Sequence, residues 1–346
     1  MKNDTTTAPT PVGLEWVRGL PKAEVHVHLE GCIPMSVVRK AARDAGQEVP
    51  EDDRELFSFT DLASFLEYLD WSCGLITERE QLYEIAYDYG RRNLDTGIRY
   101  ADVIINPTHW PSWRHRLDDL VDALHAGFSD GEADGHVPVG LCLSVKRNQT
   151  SSEAIELVEW IVSREHPRVV ALSIDGNEAA VGRTGARFAD AFRMAADKGV
   201  HRCVHAGESS GPEGIRDALD YLLAERIDHG VRAVEDPSLV TELADRRVFL
   251  DVCPTSNVLL GIAPSLAAHP VEPLRQAGVP LSLNTDDPLL FGTDVAREYC
   301  TCAQQFGWGR DTVASIARTS IEACFANDDL RATLLRDLQD YLARTA

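Results

Sequence analysis

Two histidines two residues apart, His26 and His28, close a run that otherwise reads as a buried strand, EVHVHLEG, residues 24–31. Residues two apart on a strand face the same side, so both imidazoles can address one ion. Taken alone, such a pair is more often two core histidines satisfied by backbone. Here that explanation must also cover His205 in HAGE, His229 in ERIDHG, and Asp286 and Asp287 in SLNTDDP. Imidazole nitrogen and carboxylate oxygen suit zinc, and a catalytic zinc keeps one position for water. His26, His28, His205 and Asp286 make a ligand set, and zinc supplies hydroxide from bound water near neutral pH. His229 is placed to hold or deprotonate that water. Glu208, three residues after His205, is a candidate to protonate the substrate atom that gains charge. Its alternative role is a carboxylate at the N-terminus of the following helix.

These residues need a scaffold that brings strand ends together. Eight β-like runs recur, at 23–29, 99–105, 137–145, 169–175, 201–207, 225–230, 247–253 and 280–286. Amphipathic segments lie between them, such as 152–165, 187–199 and 212–225. Strands alternating with helices imply parallel strands joined by crossovers. Eight such units at this length predict a (β/α)₈ TIM barrel, an α/β fold whose chemistry sits at the C-terminal ends of the strands. A doubly wound sheet is the alternative, weakened because no G-x-G-x-x-G follows the first strand. The 32–98 stretch is too long for one crossover, so extra helices are expected after strand one, with DLASFLEYLDW (61–71) a candidate. No composition break marks a linker. The expected organisation is a disordered tail over 1–13 and a single domain over 14–346.

The 346 residues carry a formal net charge of −21. That argues against nucleic-acid partners, which need a basic surface, and against docking on anionic membranes. No apolar run reaches transmembrane length, and the polar start lacks a secretory h-region. A soluble, cytoplasmic protein acting on a small molecule is expected. Its oligomeric state is not legible. Eight cysteines occur with no C-x-x-C pair, and most are expected to be buried small hydrophobes.

HVHLEG, DGNE, HAGE, ERIDHG, CPTSN and SLNTDDP stand in the order, and at about the spacing, found in the adenosine deaminase family, which this chain resembles from about residue 20 onward. The resemblance implies a barrel with one catalytic metal, usually zinc, that replaces the 6-amino group of an adenine ring with oxygen. It implies that His26, His28, His205 and Asp286 hold the metal and that His229 orients and activates the water. Glu208 would protonate ring N1, the Gly176 backbone would meet the ring edge, and Asp287 would face N7. Hydroxide attacks C6, N1 takes a proton and ammonia leaves. A carboxyl that protonates N1 needs a pKa raised by burial. A cytidine-deaminase site is discarded, because Cys253-Pro254 has no cysteine partner three residues on.

Two positions depart from the resemblance. Glu30 replaces the Asp that holds the ribose 5′-hydroxyl in adenosine-specific members, and its extra methylene reaches further into the ribose space. Ile104 replaces an Arg, ahead of an aromatic loop, NPTHWPSW, 106–113, and both departures bear on the substrate's non-base half, its sugar end. Leu62, Phe65, Leu66 and Leu69 recur at helical spacing and form either a core face or a lid over the substrate. Adenosine or 2′-deoxyadenosine is the leading expected substrate. A 5′-substituted nucleoside such as aminodeoxyfutalosine comes next, then free adenine. A metal-dependent amidohydrolase acting on an amide or ester is the rival class. A non-catalytic relative would lack ligands, and none is missing.

Overall fold

The computed structural model describes residues 12–52, 56, 57, 59 and 61–346. The tail expected over 1–13 lies outside them except for Val12 and Gly13. Eight strands form one sheet in sequential order, every neighbouring pair parallel. They are β1 (Lys22–His28), β2 (Ile98–Ile105), β3 (Val139–Lys146), β4 (Val169–Asp175), β5 (His201–Ala206), β6 (Arg226–His229), β7 (Phe249–Val252) and β8 (Leu281–Leu283). This is the expected TIM barrel. β6 to β8 are shorter than the runs suggest: β6 loses one residue at each end, β7 begins two residues later, and β8 ends before its polar residues Asn284, Thr285 and Asp286. His229 and Asp286 both adopt a left-handed φ of 64°, which turns their side chains toward the barrel mouth.

The barrel closes between β1 and β8 through a single bridge, Val27 to Asp286. The His28 N–H donates to the Asp286 carbonyl at 2.7 Å and the Asp286 N–H to the His26 carbonyl at 3.2 Å. Side chains fill the rest of that seam. Asn284 Oδ1 accepts from the Val25 and His26 amides, and Thr285 Oγ1 donates to Glu24 at 2.5 Å.

Deep in the barrel Arg226 is fully buried. It pairs with Asp102 at 2.7 Å and Asp251 at 2.5 Å, and lies 4.1 Å from the Phe325 ring centroid. Burying a cation and two carboxylates is tolerable because they satisfy one another. Ile104 packs with Cys142, Ala171, Cys203 and Phe325 in this interior. Its expected bearing on the substrate's sugar end is therefore corrected: it lines no part of the mouth cavity. The β1–β2 connection carries the anticipated extra helices, Met35–Asp44, Leu62–Gly74 and Arg79–Arg92. The second begins at Asp61, whose carboxylate accepts from the Ser64 amide in a reciprocal cap. The 212–225 segment is helical only over Pro212–Asp220. All eight cysteines are buried and unpaired. Among the described residues no helix is long and apolar enough to cross a membrane.

Candidate active site

At the C-terminal mouth of the barrel the ends of β1, β5, β6 and β8 converge. His28 Nε2 lies 3.0 Å from His205 Nε2 and 3.3 Å from Asp286 Oδ1, and His26 Nε2 lies 3.3 Å from the same oxygen. Two donors bound to one zinc at about 2.05 Å stand roughly 2.9 Å apart at a right angle and roughly 3.4 Å apart at the tetrahedral angle. The observed separations fall in that interval. One atom each from His26, His205, His229 and Asp286 also lie within 4.8 Å of one another. His229 is thus drawn into the same cluster.

The donor chemistry fits a cation. His26 Nε2 is buried without a hydrogen-bond partner. Burial alone would depress its pKa, but Asp286, Asp228 and Asp251 together carry it up to about 10, so these carboxylates demand a positive charge at that nitrogen. His28, by contrast, is pulled down to about 4 by burial and by His205 and His26, against the opposing charge of Asp286. The rings are held from behind. His26 Nδ1 lies 3.0 Å from the Asp251 carbonyl, and His205 Nδ1 lies 3.1 Å from Asp228 Oδ2. Both contacts favour the Nδ1–H tautomer and leave Nε2 as a ligand. Ser256 Oγ donates to Asp286 Oδ2 at 2.7 Å.

Glu208 is buried, with Oε1 3.6 Å from His229 Nε2. Burial, then the charges of Asp286 and Glu178, push its carboxyl up to about 8. Its loop is fixed by Glu178, whose carboxylate accepts from the amides of Gly207, Glu208, Ser209 and Ser210. Asp287 is raised well above the usual carboxylate range by burial and by Asp286, Glu30 and Glu208. It packs so closely on Gly31 that a Cβ there would overlap its carboxyl, which accounts for the glycine after Glu30.

A cavity joins these groups. It is lined by His28, Glu30, Asp175, Gly176, His205, Glu208, His229, Asp286 and Asp287 on the polar side. Leu62, Phe65, Leu66, Leu69 and Leu260 form the apolar side. Four residues of the helix Leu62–Gly74 thus line the cavity with one apolar face. Phe65 also stacks on Phe291, with centroids 5.2 Å apart. The helix is tied down through Asp70, whose carboxylate lies 2.5 Å from His109 Nδ1.

The aromatic loop's part was not legible in the sequence. Trp110 Nε1 and the Asn106 amide both donate to Glu30 Oε1, at 2.7 and 2.8 Å. Glu30 Oε2 is left buried and without a partner. Asn106 Nδ2 donates to Asp175 at 2.6 Å, and Trp113 Nε1 to the Ile76 carbonyl at 2.7 Å. Asp228, Glu178, Asn106 and Trp110 were missed because each works through a partner distant in sequence. Glu178 closes DGNE, Asp228 lies within ERIDHG, and Asn106 and Trp110 lie within NPTHWPSW, but none of these stretches disclosed the residue's role.

A family model described as adenosine deaminase matches residues 21–341. The chain is 33% identical over 335 residues to a protein named adenine deaminase from Rhodopseudomonas palustris, covering 96% of this chain and 97% of that one. It is 34% identical over 337 residues to one named aminodeoxyfutalosine deaminase from Streptomyces coelicolor, covering 95% and 86%. Among solved structures, an adenine deaminase from Arthrobacter aurescens superposes with a TM-score of 0.87 at 30% identity, over 94% of this chain and 99% of that one. A zinc-bound amidohydrolase from Burkholderia ambifaria does so with a TM-score of 0.87 at 25% identity, over 99% and 96%.

Proposed function

This chain belongs to the adenosine deaminase family and is a hydrolytic deaminase acting on C–N bonds of cyclic amidines, and from that premise we propose that its substrate is free adenine, converted to hypoxanthine and ammonia. Adenosine, the leading expectation from sequence, gives way to one of its alternatives.

The observation that carries this is the unpaired Oε2 of Glu30. A buried acceptor without a donor costs roughly 1–3 kcal/mol, and a ligand N–H facing it recovers that. Free adenine has such a donor at its five-membered ring edge, where a nucleoside carries the sugar. Glu30 lines the same cavity as the proposed ring-binding groups, so a ribose attached at that edge would have to share the space with its side chain. The relatives named adenine deaminase support the same choice.

His26, His28, His205 and Asp286 would hold one metal ion, and zinc suits their atoms and is the ion bound in the Burkholderia structure. Such an ion makes water acidic enough to be a nucleophile at neutral pH. The protein's own groups do the rest. Glu208, kept protonated by burial, gives its proton to N1 as C6 is attacked. Asp287, also held neutral, donates to N7. The Gly176 backbone meets the ring edge, and Leu62, Phe65 and Leu69 close over the ring and exclude bulk water. His229 stands over the reacting oxygen.

The Streptomyces relative supports a second reading, a 5′-substituted adenine nucleoside. One panel separates them: zinc-loaded protein with adenine, adenosine, 2′-deoxyadenosine and 5′-substituted adenine nucleosides, followed by loss of absorbance at the adenine maximum. Adenine is expected to give the highest kcat/KM, at least about tenfold above adenosine. A nucleoside turned over faster than adenine overturns the proposal.

A further inference from the structure

Behind His229 runs a chain of hydrogen bonds that has only one consistent direction. The Val271 N–H points at His269 Nδ1 at 3.0 Å. A backbone amide can only donate, so His269 Nδ1 carries a lone pair and its proton sits on Nε2. His269 Nε2 lies 3.1 Å from Asn257 Oδ1. That oxygen therefore accepts, and the opposite amide orientation would set N–H against N–H. Asn257 Nδ2 is thereby turned to His229 Nδ1 at 3.2 Å. The three side chains are buried, so no solvent can substitute for a missing partner. Burial alone holds His269 down at about 4, in keeping with a neutral ring.

We propose that His269 and Asn257 are positioning residues that lock His229 in its neutral Nε2–H tautomer, so that His229 meets the reacting oxygen as a hydrogen-bond donor. In that form Nε2 has no lone pair. It can hold a water oxygen, but it can neither take that water's proton nor bind the metal. This resolves which histidines of the cluster are ligands. His26 and His205 are fixed from behind by acceptors, Asp251 O and Asp228, and present lone pairs at Nε2. His229 is fixed from behind by a donor and presents the opposite tautomer. The metal set is then His26, His28, His205 and Asp286. The same donor lies 3.6 Å from Glu208 Oε1 and 4.0 Å from Asp286 Oδ2, the groups between which the oxygen must sit. The functional consequence rests on His229 facing the reacting water; the tautomer itself does not.

The tautomer is read directly by long-range ¹⁵N–¹H correlation on zinc-loaded protein labelled at histidine nitrogens, with His229 assigned by its loss in His229→Asn. Wild type is expected to show His229 with an unprotonated Nδ1 and a protonated Nε2. Asn257→Asp is the informative variant. A carboxylate at 257 still accepts from His269 but can only accept from His229, so it draws a proton onto Nδ1. The expected result is an inverted or doubly protonated His229 pattern, with kcat lower by about a hundredfold, as for loss of one preorganised donor, and zinc stoichiometry and KM nearly unchanged. A wild-type spectrum with protonated Nδ1 overturns the inference without any variant having to fold. An inverted pattern with unchanged kcat leaves the tautomer lock standing and overturns only the role of His229 at the water.

Discussion

Replacing Asp228 by asparagine should weaken the metal without dismantling the barrel. Asp228 is fully buried, and its Oδ2 stands 3.1 Å from the Nδ1 of His205. Its pKa is driven well down, against burial, by His205, His26 and Arg226, so it is a carboxylate throughout the working range. Hydrogen bonds to charged groups contribute about 1.5–3 kcal/mol against about 0.5–1.5 for neutral ones. Asparagine keeps the shape of the side chain at 228, so the loss is the charge: roughly 1–2 kcal/mol of support for a ring that must keep Nε2 basic. Among the named interior groups, Asp102, Asp228, Asp251 and Asp286 face Arg226 and the cation, and the variant removes one of those four charges. Loss of a carboxylate behind a ligating histidine typically weakens metal binding about 10–100-fold, which agrees with that figure. Arg226 retains Asp102 and Asp251, so the fold persists. The assay is zinc competition against a chromophoric chelator, read without turnover, alongside circular dichroism. Unchanged zinc affinity refutes the argument. Loss of the folded state would show instead that Asp228 serves the core and not His205.

Three further outcomes are expected. Glu208→Gln should keep its zinc and lose about 10²–10⁴ in kcat, and wild-type kcat should fall as pH rises through the carboxyl's pKa, because the protonated form is the active one; the cation's charge places that limb at or below about 8, and a rate still rising beyond pH 9 would remove Glu208 as the acid. His205→Ala and Asp286→Ala should abolish turnover and lower bound metal by elemental analysis, and full occupancy at a near-normal rate would exclude either from the ligand set. Trp110→Phe should release one of the two donors on Glu30 Oε1 and shift the adenine-to-adenosine ratio of kcat/KM by about ten- to a hundredfold, whereas Trp113→Phe, which loses only a bond to the Ile76 carbonyl, should leave that ratio unmoved.

The strand ends were the legible part of this molecule. Alternation of β-like and amphipathic runs located all eight strands, and the titratable residues closing them pointed to the barrel mouth. Leu62, Phe65, Leu66 and Leu69 were recognisable as one helix face, but core and lid give the same periodicity, and that the face lines the cavity emerges only from the structure. Asp228 shows why other residues were hidden. It adjoins His229, and neighbours on a strand should face opposite sides, yet both point inward because His229, the last residue of β6, adopts a left-handed φ. Trp110, Asn257 and His269 act through contacts that the chain's own spacing does not encode. Ile104 was misjudged for the same reason: its place in a shared pattern carried no information on depth within the barrel.

The bridge between Val27 and Asp286 joins positions more than 250 residues apart. The groups proposed to hold the ion lie on both sides of it, with His26 and His28 on β1 and Asp286 just after β8. All eight strands must therefore be synthesised before the cluster can exist. The loop that this contact closes is among the costliest in entropy the chain can form. An ion held from both banks would act as a clasp. Starving cells of zinc should then leave a barrel that is formed but unfastened along one edge, with amide hydrogens of β1 and β8 exchanging ahead of those in β3 and β4.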